Sequence, residues 1–310
     1  MTHRFTLNPL KDSQPQPRTI QIFLPSGDPS GIRIAEQTTS IIRVIEVPRS
    51  NLAEFMTLPE AKQVGLYFLL SGDDKDELYI GQSGEVGTRL MQHHKEAKKD
   101  WERALVMVSL TNSLTQTHVL YLESLSIEQA KHCQRYELLN SNGGQKTHTP
   151  IPLKADCDEM HAIGRLLLAT LGYPIFEPLI VESFTEQHNG PIFLCKRTGV
   201  NAKAVYTNEG MVVLKGSSAP MTTRRKTEQR FFDKRDELLA KGVIAVEKST
   251  SRRPVSDNDR FVFQRDYLFQ TPSGASMFLL LASSNGWVDW KTEQGTTLHD
   301  HQGRNLTTTE

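Results

Sequence analysis

The chain has little sulfur: its three cysteines, Cys133, Cys157 and Cys195, lie far apart and form no CxxC pair. That excludes a disulfide framework and a cysteine-based zinc site, and it fits a reducing compartment. Long apolar runs are also missing. No stretch approaches the roughly 20 apolar residues that a membrane-spanning helix needs, and residues 1–18 lack the apolar segment of a secretion signal. A cytoplasmic protein with no membrane partner is therefore expected. The glycines of Pro25-Ser26-Gly27-Asp28-Pro29-Ser30-Gly31 are too few for a phosphate-cradling loop, and no Gly-Lys-Ser/Thr follows them, so they read as turn residues. Net charge is absent too, with 36 Lys and Arg against 36 Asp and Glu, so any attraction to a polyanion must be local. The remaining composition is that of an ordinary globular chain with room for one to three domains.

What is present is concentrated between residues 65 and 123. Val64-Gly65-Leu66-Tyr67-Phe68-Leu69-Leu70 is short, apolar and aromatic, and it stops at Ser71-Gly72-Asp73-Asp74, which predicts a buried strand and a turn. A second strand is expected over 77–81. Folding about the 72–74 tip sets Tyr67 opposite Tyr79, with both phenols on one face. Over 85–97, Val86, Leu90 and Ala97 recur at helical spacing; His93 falls on that stripe and Arg89 is its i, i+4 neighbour. A strand over 104–110 follows. Ser113 with Gln116 then predicts a capping-box start for a helix that carries Glu123 on the face of Val119, Leu120 and Ile127. A carboxylate on an apolar face is costly to bury unless it is paired or holds a metal. Each feature has a plain structural account: tyrosines packed across a hairpin, a core histidine, and a Glu123–Arg89 ion pair. Their combination and order are what set the stretch apart.

That order resembles the catalytic module of the GIY-YIG nuclease family, over residues 64 to about 142. Gly65-Leu66-Tyr67 differs from the first namesake triplet by Leu in place of Ile, and Tyr79-Ile80-Gly81 matches the second outright. The resemblance implies a phosphate-binding role for Arg89 and a metal-binding role for Glu123, toward one Mg2+ or Mn2+. It implies that Tyr67 deprotonates or orients the attacking water, that Tyr79 positions it, that His93 assists proton movement, and that Asn140 is the family's late asparagine. His94 and Asn142 are adjacent alternatives for the last two positions. Tyr67 can serve as base only if the ion and Arg89 pull its pKa below about 10. A lysine after the second triplet would strengthen the match; this chain has Gln82. The activity implied is metal-dependent endonucleolytic hydrolysis of phosphodiester bonds, with double-stranded DNA as partner. The alternative is a non-cleaving nucleic-acid-binding protein on a degenerate nuclease fold, and a third reading makes the four side chains a sealed polar cluster. An open meeting of Tyr67, Tyr79, Arg89 and Glu123 favours the enzyme.

The expected fold class is α+β: a small antiparallel sheet flanked by helices, preceded by an N-terminal β unit and followed by a separate C-terminal α+β domain. The boundaries expected are a tail over 1–18, the β unit over 19–62, the nuclease-like module over 63–142, a linker over 143–157 holding Pro150 and Pro152, and the C-terminal domain over 158–310. The linker is followed by a helix over 158–171. The C-terminal domain begins with a strand at 192–195 and a hairpin of 204–206 with 211–214, and has an exposed helix over 222–240. Between Met221 and Arg265 there are 12 Lys or Arg and 7 Asp or Glu, a local excess of five positive charges. Arg224, Arg225, Lys226, Arg230, Arg252 and Arg253 are the candidate phosphate contacts there. The tail from Arg265 to Lys291, with Leu214-Lys215-Gly216-Ser217, resembles an uncharacterised C-terminal domain often appended to GIY-YIG nucleases.

Overall fold

The computed structural model describes residues 17–72, 77–96, 100–141, 143–144, 148–179, 191–197, 199–222, 229–247 and 259–303. The architecture is mixed α+β, in two compact units, Met1–Pro178 and Leu179–Glu310. Among the described residues no helix is long and apolar enough to cross a membrane.

In the first unit, β1 (Ile20–Phe23), β2 (Arg33–Gln37) and β3 (Ile42–Pro48) precede the short helix α1 (Leu52–Phe55). Then come β4 (Gly65–Leu70), β5 (Glu77–Ser83), α2 (Val86–Lys95), β6 (Arg103–Ser109), α3 (Gln116–Cys133), β7 (Glu137–Leu138) and α4 (Ile151–Thr170). The strands form one sheet in the order β1-β2-β3-β6-β4-β5-β7. The stretch expected as a separate β unit over 19–62 is thus part of the same sheet. β3 is nearly all buried, and a strand buried on both faces needs ladder partners on both edges; it pairs with β6 from Ile42↔Ser109 to Pro48↔Arg103.

Alternation along the strands gives the sheet two apolar faces. One, with Val44, Leu66, Phe68, Ile80 and Leu105, is covered by α3 and α4 through Leu122, Ile127, Leu167 and Leu168. The other, with Ile45, Tyr67, Leu69 and Val106, is covered by α1 and α2 through Leu52, Phe55, Val86 and Leu90. α4 starts within the expected linker, because Pro152 lies in its first turn, where a missing N–H costs nothing. The boundary between units falls after Pro178 rather than at 143–157. α3 is capped at Thr115, whose N–H donates to His118 Nδ1 at 3.2 Å, in place of the expected Ser113 box.

The second unit holds a sheet of order β14-β10-β9-β8 and another of order β11-β13-β12. Its strands are β8 (Phe193–Cys195), β9 (Ala202–Thr207), β10 (Gly210–Val213), β11 (Ser218–Pro220), β12 (Ile244–Glu247), β13 (Arg260–Phe263) and β14 (Tyr267–Phe269). Its helices are α5 (Gln229–Ala240), α6 (Pro272–Leu280), α7 (Gly286–Asp289) and α8 (Leu298–His301). Phe261, Phe263, Phe278 and Trp290 dominate its core.

Inside that core Arg235 of α5 is 1% exposed. Its guanidinium donates to Pro220 O, Met221 O and Phe278 O at 2.8 Å each and to Leu279 O at 3.2 Å. It also lies 4.5 Å from the Phe261 ring centre and 5.4 Å from that of Phe278. Burial pulls its pKa down to about 9, which leaves it charged at neutral pH. A planar fork spans four carbonyls where a compact ammonium cannot. Arg235→Lys is expected to destabilise the chain by about 2–4 kcal/mol through carbonyls left unsatisfied, measured by urea unfolding; a loss below about 0.5 kcal/mol would show that the fork is dispensable.

Candidate active site

β4 and β5 assemble the site. Tyr67 pairs with Gly81, and Leu69 with Tyr79, two residues away from the expected Tyr67–Tyr79 register. An even slip keeps both phenols on one face. Gly81 supplies the physical reason: a Cβ there would overlap the Tyr67 hydroxyl and Cζ, so only glycine lets the Tyr67 ring lie across the neighbouring strand. The two phenol rings sit diagonally, 6.3 Å apart and tilted by 37°.

α2 lies over this face and buries Val86, Leu90 and His93. His93 Nε2 is 3.0 Å from Tyr67 Oη, and its ring centre is 5.6 Å from that of Tyr79. Tyr67 and His93 are each 1% exposed. His94 faces elsewhere, accepting a 3.3 Å bond from Arg49 Nε. Arg89, half-buried on the same helix, acts electrostatically on the Tyr67 phenol, while its Nη1 donates to Gln92 Oε1 at 2.8 Å.

A lowered Tyr67 pKa, the condition for its serving as a base, is not met without an ion. Burial pushes the phenol above its ordinary value; Arg89 pulls the other way, and Tyr79 and Glu123 add to the rise. Burial wins, so the Tyr67 hydroxyl keeps its proton. The Tyr67 contact in turn raises the Arg89 pKa, holding the guanidinium charged.

Glu123 comes from the other side of the sheet. Odd-numbered β5 residues bond to β4, so the main-chain groups of even-numbered residues point to the outer edge. There Leu78 O accepts from Leu139 N. Ile80 is met by Asn140, whose Oδ1 accepts from Ile80 N at 2.9 Å and whose Nδ2 donates to Ile80 O at 2.8 Å. The Gln82 main chain faces the same edge, on the side of Glu123, whose pKa it lowers. Asn140 therefore acts as a length of strand, its amide spent on the β5 backbone.

Glu123 is half-buried. Burial raises its pKa, opposed by the Gln82 N–H. The described residues include no salt bridge to it. They also include no group of three or more His, Cys, Asp or Glu able to hold a metal. A lone hard-oxygen ligand suits Mg2+ or Mn2+ when water and phosphate oxygens complete the coordination shell, so the donor chemistry fits a divalent ion.

Tyr67, Tyr79, Arg89 and His93 thus form one cluster, with Glu123 beside it at the end of β5. Tyr67 and His93 are sealed, whereas Tyr79, Arg89 and Glu123 are half-buried, a layered arrangement between the open and closed alternatives. Arg230, in the second unit, stacks over Phe231 at 5.0 Å. Arg224, Arg225, Lys226, Arg252, Arg253 and Asn142 lie outside the described residues. Sequence reasoning gave no role to Gln92 and none to Gln116 beyond the capping box, because amide side chains at helix positions carry no further signal of their own.

Gly81→Ala is expected to force the Tyr67 ring off His93 and to destabilise the chain by about 1–3 kcal/mol, the scale of overpacking a tight core site. Thermal unfolding measures this, and a midpoint equal to that of the parent would show that the ring does not depend on the gap.

Residues 193–302, within the second unit, match the model of a domain of unknown function, DUF4357. No curated protein and no solved structure matches the chain.

Proposed function

We propose that the chain is a divalent-metal-dependent endonuclease that hydrolyses phosphodiester bonds in double-stranded DNA, on a GIY-YIG-like module. The observation that carries this reading is the meeting of a neutral Tyr67 with His93 and a charged Arg89, beside a carboxylate without a cation partner among the described residues. Phosphodiester hydrolysis needs a route for a proton from water, a cation on the phosphate and a site for an ion.

Arg89 is the cation that forks onto the phosphate. Tyr67, kept protonated by burial, is not a free phenolate base. It passes a proton instead: the hydroxyl gives its proton to His93 Nε2 at 3.0 Å as it takes one from the attacking water, so the charge ends on the imidazole. Tyr79, against the His93 ring, limits the movement of that imidazole. Glu123 would hold Mg2+ or Mn2+, which when bound neutralises charge on the phosphate and acidifies water. The basic stretch between Met221 and Arg265 offers a second region for the phosphate backbone.

The decisive measurement is single-turnover cleavage of one duplex with Mg2+ or Mn2+. Tyr67→Phe keeps the ring over Gly81 and removes only the hydroxyl. It is expected to lower the rate by roughly 10²- to 10⁴-fold, the scale of general acid–base catalysis, with little change in DNA binding. Retention of the rate would remove Tyr67 from the proton path, and binding without any cleavage by the parent would favour the non-cleaving alternative.

Glu123→Gln should abolish cleavage and stabilise the metal-free fold. A carboxyl whose pKa is raised on folding binds its proton more tightly in the native state, so its ionisation costs stability as pH rises through the folded pKa. The variant should therefore melt above the parent at pH 7 without metal, with the gap closing below the ordinary carboxylate range near pH 4. A pH-independent difference in melting would contradict the burial of this carboxyl.

A further inference from the structure

The seven-stranded sheet of the first unit has two edges, and they are finished differently. At one, β5 is met by β7 and by the amide of Asn140. At the other, β1 pairs with β2 on its inner side and has no further strand beside it among the described residues. Natural sheets blunt such an edge with lysine, proline, a bulge or a cover. β1 reads Ile20-Gln21-Ile22-Phe23, without a charge or a proline, and Ile22 and Phe23 are 44% and 62% exposed. The two stand on opposite faces of the sheet, because Ile22 lies opposite Ala35 and Phe23 opposite Ile34. Apolar surface therefore flanks the edge on both sides.

The charges at the two ends of this strand select its partner. Arg18 precedes it, and Asp28 follows it just past the turn closed by the Gly27 N–H to Leu24 O bond; both are exposed. Neither has an ion-pair partner among the described residues. A second copy running antiparallel brings each Arg18 to the Asp28 end of the other, whereas a parallel copy sets like charges together, which is destabilising across a sheet. A two-fold that continues the sheet keeps its faces, so only residues of the same face oppose one another. With Ile22 on the axis, Ile22 meets Ile22, Ile20 meets Leu24 and Gln21 meets Phe23.

We propose that β1 is the docking edge for β1 of a second copy of this chain, paired antiparallel about a two-fold at Ile22, with Arg18 of each copy toward Asp28 of the other. Such an interface is isologous and closes at two copies. It stands apart from the nuclease reading. With a four-residue strand on each side it lies at the small end of specific interfaces, and a dissociation constant of roughly 10–100 µM is expected.

Sedimentation equilibrium of the full chain measures the association, and amide hydrogen exchange locates it. The parent should pass from monomer to dimer over that concentration range, with exchange at residues 20–23 slowing in step. Phe23→Lys should stay monomeric and melt as the dilute parent does, since the ring it replaces is exposed. Asp28→Asn keeps an acceptor for the Ser30 N–H and hydroxyl and removes only the charge. It and Arg18→Gln should each weaken the dimer about three- to tenfold, the scale of two surface ion pairs, and the double variant no more than either. A chain that stays monomeric to about 1 mM, well above the range expected, overturns the proposal and leaves the edge to a strand of another protein. A dimer with exchange at 20–23 unmoved, or one that Phe23→Lys leaves intact, overturns it as well. Charge variants whose effects add would overturn the antiparallel meeting of Arg18 with Asp28.

Discussion

The site depends on a close approach: the ring of Tyr67 crosses the neighbouring strand at a residue with no side chain. Were position 81 to carry a Cβ, the phenol would have to stand away from β5 and its hydroxyl would leave His93. Lying down also buries the hydroxyl, and a buried hydroxyl needs a partner. His93 and Arg89, one helical turn apart on α2, supply partners from one element. The packing of α2 through Val86 and Leu90 and the polar contacts of Tyr67 thus fix the same placement of the helix.

The parts of the site come from opposite faces of the sheet. Tyr67, Tyr79, Arg89 and His93 belong to the side covered by α2, and Glu123 to the side covered by α3. A complete sheet would keep them apart. They meet because β5 is flanked over only part of its length, and beyond Gly81 its outer edge is closed by side chains instead of another strand. The open edge is usually a hazard for a sheet; here it is where Glu123 comes beside the cluster on the α2 side.

Much of this was legible in the sequence. The aromatic strand, the second strand, the helix with Arg89 and His93, and the helix with Glu123 all lie within a few residues of where pattern and turn chemistry set them. The register was not. It was placed by symmetry about the turn, whereas the fit of one ring over one glycine decides it, and that fit has no one-dimensional signature. The sign of the Tyr67 shift was not legible for a related reason: it depends on burial of the hydroxyl, and Tyr67 is almost fully buried. The proline-containing linker was read as a break because proline at a helix start and proline in a loop look alike until the helix is seen. Of His93 and His94, spacing set the first on the apolar stripe, and the helix buries it beside Val86 and Leu90. Arg235 had no signal at all, sitting in an exposed-looking charged stretch while its guanidinium closes a core.

The pairing of β3 with β6 along their whole lengths bears on where the first unit can be cut. A segment cut at residue 63 would retain every group in the candidate site yet leave β6 with a seven-residue ladder edge bare, flat and apolar, open to association with any exposed strand. The three leading strands are therefore part of the unit that folds. A fragment meant to stand alone has to carry them along or provide a substitute strand for β6, which sets the smallest foldable piece well upstream of the first tyrosine.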